Sequence, residues 1–290
     1  MKNICLFAGF NPHGKIQPSV TYLLRELSQI ADIYYMADCT TDETEWTKIA
    51  PFVKQKHSYR HEKYDFGSWQ ELINKLGYDK LQEYDRLILC NDSVFGPLFN
   101  LQSIFDTMEE KNVDFWGITK NTFLEKEHIQ SYFVVLKKHV FESQVFRNFF
   151  KNVKKEQTKY DVVLNYELNL TKLLQQAGFS YDVLIDNAKI NCFITKQQFF
   201  NPLDPCLYWK QILKLGSPFL KKALFVPNNL PYKESLSGWD RFISSYSGYD
   251  IALIKDFIAM HKNFTIFSKE KRNNQRIIKF LGIPVFRYKK

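Results

Sequence analysis

Side chains able to move a proton or meet an anion gather in four polar clusters of this chain. They are Asp38 to Glu43, the stretch Tyr59 to Gly67 with Arg60, His61, Lys63 and Asp65, the triplet Asn91-Asp92-Ser93, and Lys120 to Gln130 with His128 near its end. Taken singly, each is ordinary loop usage, because Asp, Asn and Ser are what turns and helix starts favour. Taken together they supply carboxylates for proton transfer and cations for a departing anion. The sequence has no Gly-rich phosphate loop, Gly-x-Ser-x-Gly elbow or His-Glu-x-x-His pair to suggest another chemistry.

Short apolar runs alternating with amphipathic stretches must position these clusters, and that alternation predicts a mostly parallel sheet flanked by helices. Strands are expected over Ile4 to Phe10, Asp32 to Ala37, Val53 to His57, Arg86 to Cys90, Phe115 to Thr119, Tyr132 to Leu136 and Tyr181 to Ile185. Helices are expected from Pro18 on, over Ser68 to Leu76, Leu101 to Lys111, Ser143 to Lys154 and Val163 to Ala177. Loops after the carboxyl ends of parallel strands converge on one rim, where ligands bind, and the four clusters fall at such ends. An α/β domain over 1–200 is expected, then a helical extension over 201–267 broken by prolines, and a basic amphipathic tail over 268–290.

With 290 residues, 45% of them hydrophobic and 24% charged, the chain can bury a large core, so disorder and collagen-like sequence are excluded. The net charge is +9, yet eight Lys and Arg against Glu270 lie in the tail, leaving the rest nearly neutral. That distribution argues against nucleic acid as a partner, since nucleic-acid-binding domains spread their cations along a groove. The tail mixes its cations with Ile277, Ile278, Phe280, Leu281, Ile283, Val285 and Phe286. Such a segment suits an anionic membrane surface, or equally a terminal helix packed on the body. Five scattered cysteines, Cys5, Cys39, Cys90, Cys192 and Cys206, point to a reducing compartment. Without an apolar run of about 18 residues or a secretory leader, a cytoplasmic chain is expected, at most at the inner face of the plasma membrane.

Four strings in order carry a resemblance: Tyr64-Asp65-Phe66-Gly67-Ser68-Trp69, Leu89 to Leu98, Asp114-Phe115-Trp116-Gly117-Ile118-Thr119, and His128-Ile129-Gln130-Ser131-Tyr132-Phe133. They are similar to successive motifs of the rhamnan synthesis protein F family, over about residues 3 to 225. The resemblance implies bacterial cell-surface polysaccharide assembly by rhamnosyltransferases that use a nucleotide-linked deoxysugar. Where the family reads Arg-x-Asn-x-Gly-Tyr-Asp, this chain has His61 for the Asn and Lys63 for the Gly, a change that bears on the sugar donor more than on the reaction class.

The predicted topology also resembles the GT-A glycosyltransferase fold, in which a nucleotide-sugar lies across the first four strand ends. That likeness implies a nucleotide site formed by Asp38, Arg60, His61, Asp65, Asn91, Asp92 and Ser93. It also implies a divalent metal, Mg or Mn, on Asp92; without the metal, Arg60, His61 or Lys63 would neutralise the diphosphate. Inverting members carry a carboxylate base at the start of a helix that ends in Gly plus an aromatic residue. Counting back from Gly178-Phe179 puts Glu167 at that position, although a first-turn carboxylate is also what the helix dipole favours. His128, Gln130 and Trp116 are expected at the glycan or lipid-linked acceptor, although a large aromatic such as Trp116 more often packs in the core and a His at a strand start is often only a capped side chain. The expected activity is transfer of L-rhamnose from dTDP-rhamnose, with inversion; the alternative is a non-catalytic sugar-nucleotide or glycan binding subunit of an assembly complex.

Overall fold

The computed structural model describes residues 1–123, 126–186, 206, 208–226, 236–261, 267–272, 275–280 and 283–289. Two compact units result, Met1–Lys221 and Lys222–Lys290. The strands of the first are β1 (Asn3–Gly9), β2 (Asp32–Ala37), β3 (Gln55–Ser58), β4 (Arg86–Asn91), β5 (Val94–Phe95), β6 (Phe115–Phe123), β7 (Lys126–Ile129), β8 (Phe133–Lys137), β9 (Tyr181–Ile185) and β10 (Leu220–Lys221).

All but β5 and β10 join one sheet in the order β3-β2-β1-β4-β8-β6-β7, with β9 pairing β6. β1 lies parallel to β2 and β4, and β3 is parallel to β2. Strand β8 runs against both β4 and β6, and β7 against β6, whereas β9 is parallel to β6. The expected architecture is therefore present: a mixed, mostly parallel sheet flanked by helices.

Strands buried on both faces need no polar alternation, and every residue of β1 and of β4 is buried. Their side chains still divide by period two. Ile4, Leu6, Leu87 and Leu89 face one core layer, while Cys5, Phe7, Ile88 and Cys90 face the other. Helices Tyr64–Leu76, Gln144–Lys151 and Leu168–Gln176 cover the first face with Phe66, Trp69, Phe146, Phe150 and Leu170. Helices Pro18–Leu27 and Leu101–Glu110 cover the second with Leu23, Leu24, Ile104 and Phe105.

Two local differences from expectation bear on the site. Tyr64-Asp65-Phe66-Gly67 is the first turn of a helix rather than loop, so Asp65 has a fixed direction. Gly67 permits this: a Cβ there would stand 2.1 Å from Lys63 Cβ and 3.0 Å from the His61 ring. Most of Lys120 to Gln130, expected as a loop, extends β6 and returns as β7, with Lys120 opposite Ile129 and Asn121 opposite His128.

In the second unit, helices Trp239–Tyr246 and Ala252–His261 precede a three-stranded antiparallel meander. Its strands are β11 (Phe267–Arg272), β12 (Gln275–Phe280) and β13 (Ile283–Lys289). The tail is therefore not a helix. Ile277, Ile278, Ile283 and Val285 are β-branched, and Phe280 and Phe286 aromatic, the residues that fit a pleated surface. Pairing of Arg272 with Gln275, and of Phe280 with Ile283, leaves two-residue connections. Cys5, Cys39, Cys90 and Cys206 are free and buried, and Cys192 lies outside the described residues. Among the described residues, no helix is long and apolar enough to cross a membrane.

Candidate active site

Asp38, immediately past β2, is 4% exposed. Its Oδ1 accepts the backbone N–H of His61 and of Glu62, both at 2.8 Å, and its Oδ2 lies 3.1 Å from Arg60 Nη1. The same guanidinium donates to the Asp38 carbonyl at 2.8 Å. Asp38 thus anchors the 60–64 loop, which is strained: Glu62 and Tyr64 hold φ of 58° and 55°. The arrangement makes Asp38 the inward-facing anchor of that loop rather than the open, donor-facing side chain expected from the sequence.

His61 is turned inward in the same way, not toward a diphosphate. Its side chain is 3% exposed, burial lowers its pKa, and Nδ1 accepts the Lys63 N–H at 3.1 Å. A ring accepting at Nδ1 must carry its proton on Nε2, which lies 3.0 Å from Ser68 Oγ. A neutral, enclosed imidazole cannot offset a diphosphate. Lys63 is likewise engaged, donating to Gln70 and Glu71 at 2.5 Å. Arg60 differs: its side chain is 52% exposed and its guanidinium lies 5.3 Å from the Phe10 ring centroid.

The centre of the site joins four distant segments. Asp65, half-buried at the start of its helix, accepts the Asn91 side-chain N–H at 2.8 Å. Asn91 Oδ1 in turn accepts the Ser93 N–H at 3.0 Å and its hydroxyl at 2.6 Å. Asp92 Oδ2 accepts the Phe10 N–H at 2.8 Å, which ties the end of β1 to the end of β4. Glu167 Oε1 accepts the Ser131 N–H at 3.1 Å, while its other oxygen has no partner among the described residues. Burial, then the charges of Asp92 and Glu167, push the Asp65 pKa up to about 7, against the opposing pull of Lys159 and the Asn91 amide. Two carboxylates, Asp92 and Glu167, therefore act on Asp65 at this rim.

Glu167 owes its placement to an irregular turn. Residues Val163–Glu167 form a π-helical turn between helices Lys159–Val162 and Leu168–Gln176. Such turns occur mostly inside α-helices and are frequent at functional sites. Tyr166 meanwhile points into the core, its ring centroid 5.6 Å from Phe66, and its hydroxyl donates to Glu156 at 2.8 Å.

The side chains expected at the acceptor are enclosed. His128 and Gln130 are 3% and 6% exposed, and Gln130 Oε1 accepts the Thr119 hydroxyl at 2.7 Å. Trp116 is 4% exposed, with ring centroids 5.1 Å from Phe105 and 6.1 Å from Phe133, so it has no free face for a sugar. Burying a polar group is tolerable only when its hydrogen bonds are made inside, and Gln130 props the 128–131 segment in this manner. What the segment offers outward is Ser131, whose N–H orients Glu167.

Comparison with known proteins can now be set against this geometry. The family model described as rhamnan synthesis protein F matches residues 35–273. The chain belongs to that family. One relative within reach of sequence comparison is the virulence protein VirA of Vibrio anguillarum, 29% identical over 196 residues, covering 59% of this chain and 62% of VirA. The chain thus spans less than two thirds of VirA's length. Among solved structures, a cytidylyltransferase from Leptospira borgpetersenii gives a TM-score of 0.39 at 11% identity, covering 86% of this chain and 100% of that one. The mannosyltransferase Ktr4p of S. cerevisiae, in complex with GDP, gives 0.37 at 7% identity, covering 62% and 66%. Scores of that size carry no argument, and the fold stands on its own strand order.

Two residues not singled out in the sequence come forward. Phe10, 48% exposed, closes β1 beside Arg60 and is held through its N–H by Asp92. An aromatic residue at a strand's carboxyl end is the sequence signal by which it can be found. Lys159 acts on Asp65 from the first turn of its own helix, which Thr158 caps; nothing in its local sequence marks it. Among the described residues, no group of three His, Cys, Asp or Glu side chains converges to hold a metal. Mg²⁺ often takes only one or two carboxylates besides phosphate oxygens and water. Asp92, with the crowded Asp65 beside it, fits that smaller donor set.

Proposed function

We propose that the chain is an inverting glycosyltransferase that moves L-rhamnose from dTDP-rhamnose onto a cell-surface polysaccharide or its lipid-linked precursor. The observation that carries this reading is the meeting of Asp65, Asn91, Asp92 and Glu167 at one rim of the sheet. Membership of the rhamnan synthesis protein F family supports the choice of sugar and polymer.

In the proposed reaction the acceptor hydroxyl oxygen attacks the anomeric carbon, the bond from that carbon to the diphosphate oxygen breaks, and the hydroxyl proton passes to Glu167. The oxygen of Glu167 not held by Ser131 takes the proton. Positive charge builds on the sugar and negative charge on the leaving diphosphate, so cations at the rim lower the barrier. In this reading Arg60 and Lys159 supply that charge and the exposed Phe10–Arg60 pair receives the base, which the Arg60–Phe10 contact and the pull of Lys159 on Asp65 support. A divalent cation, Mg or Mn, held by Asp92 would supply further neutralisation of the diphosphate. The basic segment from Ser268 to Lys290 would keep the enzyme at an anionic membrane surface, where a lipid-linked acceptor resides.

Incubation with labelled dTDP-rhamnose and a rhamnosyl acceptor tests the reading: turnover is expected from the wild-type chain and is lost in Glu167→Gln. Failure with a whole panel of nucleotide-sugars overturns it. Nucleotide binding without turnover would instead favour a binding subunit, a reading that the single acid of Asn91-Asp92-Ser93 keeps open.

A further inference from the structure

Away from the rim, two cavities adjoin on either side of helix Gln144–Lys151. One, of about 340 Å³, lies toward the carboxyl end of helix Tyr64–Leu76; the other, of about 540 Å³, lies toward the π turn. Both volumes fall in the range of sites for small organic ligands. Asn148 lines both, so the two form one groove with a shared wall.

The lining chemistry is specific. Asn74 and Asn165, one in each cavity, present side-chain amides with no partner among the described residues. Gln144 Nε2 donates to Asn148 Oδ1 at 2.7 Å, and Asn152 Nδ2 donates to the Asn148 carbonyl at 2.7 Å, so an amide row runs along the helix. Between the amides lie flat apolar faces. Tyr78 has the Arg147 guanidinium 4.2 Å from its ring centroid, and the larger cavity is walled by Phe149 and Tyr166. Neither cavity is lined by a carboxylate.

An amide donates and accepts at once, as a sugar hydroxyl does, while aromatic and aliphatic faces match the C–H faces of pyranose rings. Of the two cations in the smaller cavity, Arg147 is held on the Tyr78 ring and the Glu142 carbonyl and Lys151 is exposed, so a lining otherwise made of amides and rings suits an oligosaccharide. The groove also approaches the reaction centre, because Asn165 and Tyr166 belong to the π turn that ends on Glu167.

We infer that this groove is a second carbohydrate site, which holds a segment of the acceptor chain distant from the hydroxyl that reacts. The inference rests on the glycosyl-transfer reading and deepens it by assigning a polymer, rather than a single sugar, as the preferred acceptor. Binding there leaves the sugar-donor residues untouched.

The test uses the full chain, a rhamnose hexasaccharide as probe and maltohexaose as control, followed by saturation-transfer NMR and titration calorimetry. Asn148→Trp fills the shared wall and is expected to weaken hexasaccharide binding by about tenfold or more, while Asn165→Ala weakens it a few-fold. In transfer assays, Asn148→Trp raises KM for the hexasaccharide acceptor with kcat unchanged, and leaves a rhamnose monosaccharide glycoside unaffected. A thermal melt matching wild type shows that the fold survives, and Asn165→Ala serves in its place if it does not. Equal hexasaccharide binding by wild type and variants, no binding by wild type, or equal binding of maltohexaose overturns the inference. Absence of nucleotide-sugar turnover alongside intact hexasaccharide binding would strike the proposed function alone.

Discussion

Asp38 and Asp65 are the same side chain near the same rim, one past β2 and the other past β3, and they live in opposite surroundings. Asp38 receives two backbone N–H groups and an arginine, so its charge is spent inside the protein. Asp65 receives one amide hydrogen and faces two further carboxylates, so its charge is disfavoured until something positive arrives. The contrast teaches that one aspartate builds the loop that the other needs. Stability and reactivity are divided between two residues that composition cannot tell apart.

Variants can break or sharpen this division. Glu167→Gln removes the proton acceptor while keeping shape and the Ser131 contact, and a loss in kcat of about 10²–10⁴-fold is expected with little change in sugar-donor KM. Steady-state kinetics reads it, and activity within about tenfold of wild type would remove Glu167 from the mechanism. Asp38→Ala leaves Arg60 and two N–H groups without their acceptor, at a cost of about 3 kcal/mol, seen as a fall in melting temperature of about 10 °C. A much smaller shift would mean that Asp38 is not the loop's anchor.

Asp65→Asn should do the reverse. The folded-state pKa of Asp65 is raised to about 7, so ionisation costs the folded state stability as pH rises from the ordinary carboxylate range through 7. The variant is therefore expected to melt a few degrees higher than wild type at pH 8 and nearly level with it at pH 4, and a constant difference would contradict the crowding. The smallest effect belongs to His61, whose folded pKa lies below its ordinary value. Stability from the neutral ring is complete above about pH 6.5 and is lost as pH falls toward the folded pKa. His61→Asn, the residue usual in the family, should flatten that part of the melting curve by a degree or two.

The sheet was legible in the sequence because β1, β2, β4, β8 and β9 are short apolar runs bounded by polar turns. The hairpin of β6 and β7 was not, since Lys120, Asn121 and His128 resemble loop residues and are buried only through cross-strand pairing. The meander β11 to β13 was hidden by its cations, although its Ile and Val content favoured strands. Within the site, the order of motifs singled out Asp65, Asn91 and Asp92, and counting back from Gly178-Phe179 singled out Glu167; the structure brings these side chains together. It also put Asp38, His61, His128, Gln130 and Trp116 on the outside, where the structure turns each of them inward. Residue type and spacing report which loop a side chain joins, whereas its direction depends on partners far along the chain.

The wide turn Val163–Glu167 has an evolutionary reading as well. A π turn is one residue longer than the α turn it replaces, so an insertion in an ancestral helix could have swung a carboxylate by about 100° without disturbing the segments on either side. Excising one residue from that turn would reverse the step: the turn would close to an α turn, the segments on either side would keep their places, and Glu167 would leave the rim.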